Sequence, residues 1–336
     1  MRKLLLIMLA IGVLAASPAM AAFTGSLYTT NFATHHVFRS DVVSNTVLST
    51  SDLVGLPGAD GIIFDPLDDT RLLVGGQLTN NIYMTGIFGG GYSTVNNSPI
   101  VNGALHLAIA PGEVGPKGLS IASSEVRVLT SGFEGPIPNS LAFVGLSSGN
   151  VDNRVVAGLA RVSGIAYRGG TLYATDGDEH GYGGGLFTVN LVTNTATPLA
   201  VVGGHDMHNL WMDGWSGHLF ASGAYYIEEI DLDAIGGPAV IREWDISGLL
   251  GPSPIPYLDH IDHIATDDAG NLFAAVNTGP LVYLDLTAGV PSPIIMHNYG
   301  VGLDAVVAGK TAVPEPSTLL LAGLGLLGAG LLRKRS

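Results

Sequence analysis

A unit of four short apolar segments recurs along this chain, and no other feature of the sequence limits the fold as strongly. The clearest copy spans residues 163–199, where glycine or asparagine-rich turns separate the segments. Residues 262–296 repeat all four segments, and residues 208–232 repeat three of them. Alternating apolar and polar residues in such short segments are typical of half-buried strands. Because 47 glycines and 18 prolines also interrupt any helical period, the chain is predicted to be all-β and built from four-stranded units.

Two further copies of the unit are less regular. Residues 60–84 match three segments, whereas residues 106–111 match only the first one. The stretch that follows, to about Arg161, contains extra residues and no clear repeat. The repeat pattern alone therefore leaves the number of units open between residues 106 and 161.

The two ends of the repeat region complement each other. Residues 303–308 read as a first strand with nothing after it, and residues 26–49 read as strands two, three and four with nothing before them. Joining them makes one composite unit, which closes a ring and removes exposed sheet edges. First strands near residues 60, 106, 163, 208, 262 and 304 predict a six-bladed β-propeller, with five or seven blades possible. A β-sandwich or an open solenoid would not explain the complementary ends.

In this pattern the chain is similar to the broad family of exported six-bladed propellers with degenerate NHL-like or lactonase-like repeats. The resemblance implies the architecture and identifies no particular activity.

The aligned starts of the first strands define a candidate site, because the innermost strands of a propeller line its central channel. The aligned residues are Asp60, His106, Ser163, His208, Asp262 with His263, and Asp304. Four more polar residues just upstream could extend the ring: His205, Asp206, Asp259 and His260. Carboxylates and imidazoles in one ring suit a metal ion, a sugar or another polar ligand.

Three interpretations of this ring stay open. It could hold a cation, with carboxylates favouring Ca²⁺ and mixed Asp and His favouring Zn²⁺ or another transition metal. A metal there could activate water, as the lactonase-like enzymes are thought to do. It could bind a sugar without chemistry. Alternatively, each aspartate caps its own turn and the histidines surround channel water.

The N-terminus has the features of a secretory signal peptide. Arg2 and Lys3 precede an apolar run, and Ala19-Met20-Ala21 provides small residues at the two positions that a signal peptidase recognises. We expect residues 1–22 to be a signal peptide, residues 23–309 to form the propeller, and residues 310–336 to form a sorting and anchoring segment.

That last segment has three parts. The triplet Pro314, Glu315 and Pro316 precedes an uncharged run, and Arg333, Lys334 and Arg335 follow it. A helix over residues 319–332 would span only about 21 Å, short of a ~30 Å hydrocarbon core. Such a short hydrophobic helix with basic residues behind it predicts transient anchoring in the inner membrane. An unprocessed tail anchor is the alternative.

All three parts resemble a PEP-CTERM sorting signal, found in Gram-negative bacteria that form biofilms. The resemblance implies recognition by an exosortase, cleavage near the triplet, and delivery to the cell surface or the extracellular matrix. The resemblance gives no information about the domain that precedes this signal in the chain.

Charge and composition exclude several functions. Five of the 14 basic residues lie in residues 1–22 and 313–336, which leaves nine against 28 acidic residues and a net charge of about −19 if Glu315 stays on the mature part. Such an acidic surface repels phosphate backbones, so nucleic-acid binding is not expected. The absence of cysteine rules out disulfides, thiolate catalysis and cysteine-based zinc sites.

Two functional classes remain. The first is a non-enzymatic surface or matrix protein whose propeller binds a ligand or an exopolysaccharide. The alternative is a metal-dependent hydrolase or lyase that works at the channel mouth. The sequence identifies neither the ligand nor a catalytic residue.

Overall fold

The computed structural model describes residues 22–110, 126–132, 135–177, 184–250 and 260–309. Six four-stranded antiparallel sheets account for every strand in these residues. Each sheet is one blade, so the all-β prediction and the six-bladed propeller are both confirmed. The expected signal peptide, except for residue 22, and the C-terminal hydrophobic helix lie outside the described residues.

The first three blades follow the chain from its N-terminal side. Blade one is composite and contains β1 (Gly25–Asn31), β2 (His36–Val43), β3 (Thr46–Gly55) and the last strand, β24 (Ala305–Ala308). Blade two contains β4 (Ala59–Asp65), β5 (Asp68–Gly76), β6 (Asn81–Gly86) and β7 (Tyr92–Thr94). Blade three contains β8 (His106–Ala110), β9 (Arg127–Ser131), β10 (Ser140–Gly145) and β11 (Val151–Val155).

The remaining three blades are more regular. Blade four contains β12 (Ile165–Arg168), β13 (Thr171–Thr175), β14 (Leu186–Asn190) and β15 (Thr195–Leu199). Blade five contains β16 (Asn209–Met212), β17 (Leu219–Ser222), β18 (Tyr226–Asp231) and β19 (Ala239–Asp245), followed by the short helix α1 (Ser247–Leu250). Blade six contains β20 (Ile261–Thr266), β21 (Asn271–Val276), β22 (Pro280–Asp285) and β23 (Ile294–Asn298).

Pairing between β24 and β1 closes the ring, as the complementary ends of the repeat predict. Leu27 lies opposite Ala308 and Thr30 lies opposite Ala305 in this antiparallel pair. The hydrogen bonds continue on both sides, because the Asp304 amide donates to the Thr30 carbonyl (3.1 Å) and the Gly309 amide donates to the Ser26 carbonyl (2.8 Å). The inner edge of β1 is therefore covered by the chain itself.

Apolar side chains pack between adjacent blades. Phe220, Ile264 and Leu272 are buried in one cluster between blades five and six. Phe23 contacts Phe273 edge to face, with ring centroids 4.8 Å apart, and so joins blade six to the N-terminal segment. Burial of these large side chains supplies the stability that disulfides supply in many exported domains.

Two glycines explain how the channel-lining strands come so close together. A Cβ atom on Gly61 would lie 1.9 Å from the carbonyl oxygen of Leu105, and one on Gly164 would lie 2.5 Å from the carbonyl oxygen of His208. The Gly61 amide donates to that Leu105 carbonyl at 2.8 Å. The start of each of these inner strands therefore rests against the start of the next, which brings the aligned polar residues to one end of the channel.

Two blades differ from the sequence pattern in detail. The irregular part of the chain still supplies the complete blade three. The fourth strands β7 and β19 had no clear counterpart in the repeat, because both are outer strands with exposed polar positions. Of the residues described, none belongs to a helix with the length and apolar character needed to cross a membrane.

Candidate metal centre in the channel

Three of the aligned residues meet at the start of the inner strands. His106, His208 and Asp262 come from blades three, five and six, and one ligand atom of each lies within 4.8 Å of the other two. We call these three residues the channel centre. His106 is the first residue of β8, while His208 directly precedes β16 and Asp262 is the second residue of β20. Since they belong to three different blades, only closure of the ring brings them together.

The tautomer of His106 follows from its surroundings. Its Nδ1 lies 3.1 Å from the carbonyl oxygen of Ser163, and a carbonyl only accepts, so Nδ1 carries the proton. The lone pair is then on Nε2, which is buried and has no hydrogen-bond partner in the part of the chain that the structure describes. An imidazole oriented by a backbone carbonyl, with its other nitrogen free, is the usual arrangement of a metal-binding histidine.

Asp262 faces two imidazoles. Its Oδ1 lies 3.2 Å from His208 Nε2 and 3.6 Å from His260 Nε2. Burial alone would raise the pKa of Asp262, but the hydrogen bond from His208 and the proximity of His260 hold it below its usual range. Asp262 is therefore the anionic member of the centre.

The remaining histidine of the ring, His263, packs beside this centre. Its ring centroid lies 5.9 Å from that of His106 and 5.9 Å from that of Trp211. Burial, reinforced by the charge of His208, lowers the pKa of His106 to about 4. Burial and the neighbouring His106 lower the pKa of His263 to about 3. Both imidazoles are thus neutral at physiological pH, the form in which histidine binds metals.

The other aligned residues have different environments. Asp304 accepts the Phe32 amide on Oδ2 at 2.5 Å, and burial together with the charge of Asp262 raises the pKa of Asp304 well above its usual range. Asp60 is buried, and its carbonyl accepts the Thr30 hydroxyl at 2.5 Å. Ser163 uses its carbonyl to orient His106. Asp304 therefore resembles the expected turn cap. Ser163 does not face the centre with its side chain in this role; its carbonyl fixes the orientation of the His106 ring.

The upstream candidates do not all join the ring. His260 does, as its contact with Asp262 shows. Asp206 is exposed, and Asp259 lies outside the described residues. His205 instead contacts Glu243 on the outer part of blade five, with Nε2 to Oε2 at 2.9 Å.

A cavity of about 240 Å³ occupies another part of the channel. Its walls come from the inner strands of all six blades and are mostly apolar, with Phe64, Leu107, Tyr167, Trp211, Asp267 and Val307 among them. Trp211 donates its indole N–H to Thr266 Oγ1 at 3.1 Å and also contacts His263, so it lies between the cavity and the histidines. The sequence did not point to this cavity, because apolar residues at these positions look like ordinary strand core.

Comparison with known protein families supports the sorting signal that the C-terminal sequence predicts. Residues 312–335 match the PEP-CTERM protein-sorting motif. The chain carries this sorting motif. The motif implies export, anchoring in the membrane during transit, and processing by an exosortase.

The described fold is similar to those of two solved structures. A chain from the crystal structure of a nidogen/laminin complex is 15% identical, with a TM-score of 0.59 over 85% of this chain and 98% of that chain. A functionally unknown protein from Desulfotomaculum acetoxidans DSM 771 is 9% identical, with a TM-score of 0.47 over 85% of this chain and 99% of that chain. No curated protein matches the chain significantly. At such low identity the first similarity shows the propeller fold alone.

Proposed function

We propose that this exported propeller is a surface or matrix module that binds a divalent transition-metal ion at the channel centre. The observation that carries the proposal is the buried lone pair on His106 Nε2, beside His208 and the anionic Asp262. A buried nitrogen acceptor without a partner is costly unless something binds it. A metal ion would satisfy it.

The donor set indicates which metal. Two imidazoles and one carboxylate suit Zn²⁺ and similar transition metals, whereas Ca²⁺ prefers a shell of six to eight oxygens. Of the two cations expected from the sequence, the channel centre therefore favours Zn²⁺.

The metal content of the purified protein tests this proposal. After saturation with Zn²⁺ and desalting, elemental analysis should show one equivalent fewer in His106→Ala than in the unmutated chain. His297→Ala is the matched control, because His297 lies on the outer strand β23. Equal zinc content in the His106→Ala variant and the unmutated chain would contradict the proposal.

The sorting motif supports a matrix role for the module. Proteins with this motif accompany exopolysaccharide production as a class, so we infer that a polysaccharide or another matrix component is the partner. Electrophoresis through gels that contain the host's exopolysaccharide measures this directly. Retarded migration relative to a polysaccharide-free gel is expected, and unchanged migration would refute the partnership.

A metal-dependent hydrolase or lyase is the second candidate. It is favoured by the same centre, because three protein ligands leave a position at which a bound water could be activated. Zinc-loaded protein tested on a panel of lactones and esters distinguishes the two candidates. Hydrolysis that disappears in Asp262→Asn would establish the enzymatic function. If fully loaded protein hydrolyses none of these compounds, the binding module stays the supported function.

A further inference from the structure

A second group of potential metal ligands lies on the outer part of blade five. His205, Glu228 and Glu243 each place one ligand atom within 4.8 Å of the other two. Glu228 is on β18, Glu243 is on β19, and His205 belongs to the connection between β15 and β16. We call these three residues the rim cluster. It shares no residue with the channel centre.

The two glutamates of the rim cluster oppose each other. Glu228 and Glu243 are directly paired across the antiparallel strands, so their side chains share one face of the sheet. Like charges in this arrangement destabilise a sheet. Unless a cation is present, the sequence places two carboxylates where they repel each other.

Burial makes this arrangement more costly. Glu228 is only 2% exposed, and its Oε2 has no hydrogen-bond partner in the part of the chain that the structure describes. Its other oxygen, Oε1, accepts the backbone amide of His205 at 2.7 Å. Burial, with a contribution from the charge of Glu243, raises the pKa of Glu228. A buried carboxylate oxygen without a partner is a strong candidate to bind a cation.

The histidine of the cluster is held in place. Its ring stacks on Tyr226, with centroids 4.3 Å apart and an interplanar angle of 4°. Its Nε2 lies 2.9 Å from Glu243 Oε2. The ring is therefore fixed before any ligand arrives, which reduces the entropy lost on binding.

We propose that the rim cluster is a second divalent-metal site, with His205, Glu228 and Glu243 as its protein ligands. One imidazole and two carboxylates form a donor set that suits Zn²⁺. The bound ion would neutralise the opposed glutamates and satisfy the buried Glu228 oxygen. It would also fasten the connection between blades four and five to the outer strands of blade five.

Zinc titration of the full chain tests the second site independently of the first. In the His208→Ala background the channel centre lacks a ligand, so isothermal titration should detect only the rim cluster. We expect one site per chain in this background and at least a tenfold weaker affinity after Glu243→Gln. Asp233→Asn removes an exposed carboxylate elsewhere on the same blade, where Asp233 pairs with Arg168, and should leave the affinity unchanged.

The outcomes separate the two sites. No zinc binding in the His208→Ala background, or equal affinity in Glu243→Gln, would overturn the rim cluster and leave the channel proposal intact. If His208→Ala fails to fold, Asp262→Asn provides the same background. As a second measurement, Zn²⁺ should raise the Tm of Glu243→Gln less than that of the otherwise unmutated chain. An equal rise in both would again refute the second site.

Discussion

The channel centre and the rim cluster use the same kinds of side chain in opposite surroundings. The channel centre takes its ligands from three blades, and its carboxylate is stabilised by two neighbouring imidazoles. The rim cluster is confined to blade five and the connection before it, and one of its carboxylates faces another across a strand pair. The first depends on closure of the ring, whereas the second depends on local pairing. Neutralising a carboxylate should therefore lower the stability of the metal-free protein at the channel centre and raise it at the rim cluster.

Opening the ring should have the largest effect. A chain that ends at Leu303 lacks β24, including the buried residues Ala305, Val306, Val307 and Ala308. Loss of this apolar burial costs roughly 5 kcal/mol or more, and it also exposes the edge of β1. Circular dichroism should show a Tm at least about 10 °C below that of a chain ending at Gly309. Equal Tm values would mean that the composite blade does not hold the ring together.

Acidification should have the next largest effect in metal-free protein. An unfolded histidine titrates near 6.5, whereas burial keeps the pKa of His106 at about 4 and that of His263 at about 3. Between these values the unfolded chain binds more protons than the folded protein, so stability is lost as the pH falls from about 6.5 towards 4. The expected loss is on the order of several kcal/mol.

Chemical denaturation at a series of pH values measures this loss. His106 faces His208, His263 and Asp262, and Asp262 keeps the opposing negative charge throughout this range. Asp304, Glu228 and Asp267 act in the opposite direction, because burial raises the pKa of each carboxyl and so favours folding at lower pH. The titration is therefore done in Asp304→Asn, which removes the group with the largest rise, and the loss from the histidines should exceed the gain from the other two. A free energy of unfolding that stays constant between pH 6.5 and 4 would show that the histidines are not buried in their neutral form.

The ring and the architecture could be predicted because they follow from local patterns. The four segments that form β12 to β15 recur further along the chain, and the complementary ends identify the composite blade before any contact is known. The aligned starts predicted that His106, His208 and Asp262 share one end of the channel. They left open whether Asp304 belongs to a ligand ring or caps a turn, since side-chain orientation depends on contacts between blades.

The rim cluster was beyond the reach of sequence reasoning. The sequence places His205 only as a possible extension of the channel ring, because it lies three residues before His208. Strand β19 has no clear counterpart in the repeat, so nothing indicated that Glu243 pairs with Glu228. Register between two strands depends on the turn and on the buried face together, and a polar outer strand gives little information about either.

Neutralising Asp262 should destabilise the metal-free protein. Asp262→Asn removes the charge that pairs with His208 and lies beside His260, at a cost of about 2 kcal/mol. Asp69→Asn is the matched control, because Asp69 is exposed on β5. Urea denaturation of both variants gives the difference. An Asp262→Asn variant as stable as its control would show that the carboxylate and the imidazoles are not coupled.

Neutralising Glu228 should have the smallest effect and the opposite sign. Glu228→Gln relieves the repulsion from Glu243 and keeps an oxygen for the His205 amide, so metal-free protein should gain up to about 1 kcal/mol. In saturating Zn²⁺ the same variant should be less stable than the unmutated chain. The same urea experiment, with and without Zn²⁺, checks both statements. A loss of stability without metal would remove the argument that the opposed glutamates need a cation.

The most direct test of the channel centre is anomalous diffraction from crystals of the zinc-loaded protein, recorded on both sides of the zinc absorption edge. The account predicts an anomalous peak within bonding distance of His106 Nε2, His208 and Asp262, at about 2.0 to 2.2 Å from the ligand atoms. A map from fully loaded crystals with no peak among these three residues would contradict it.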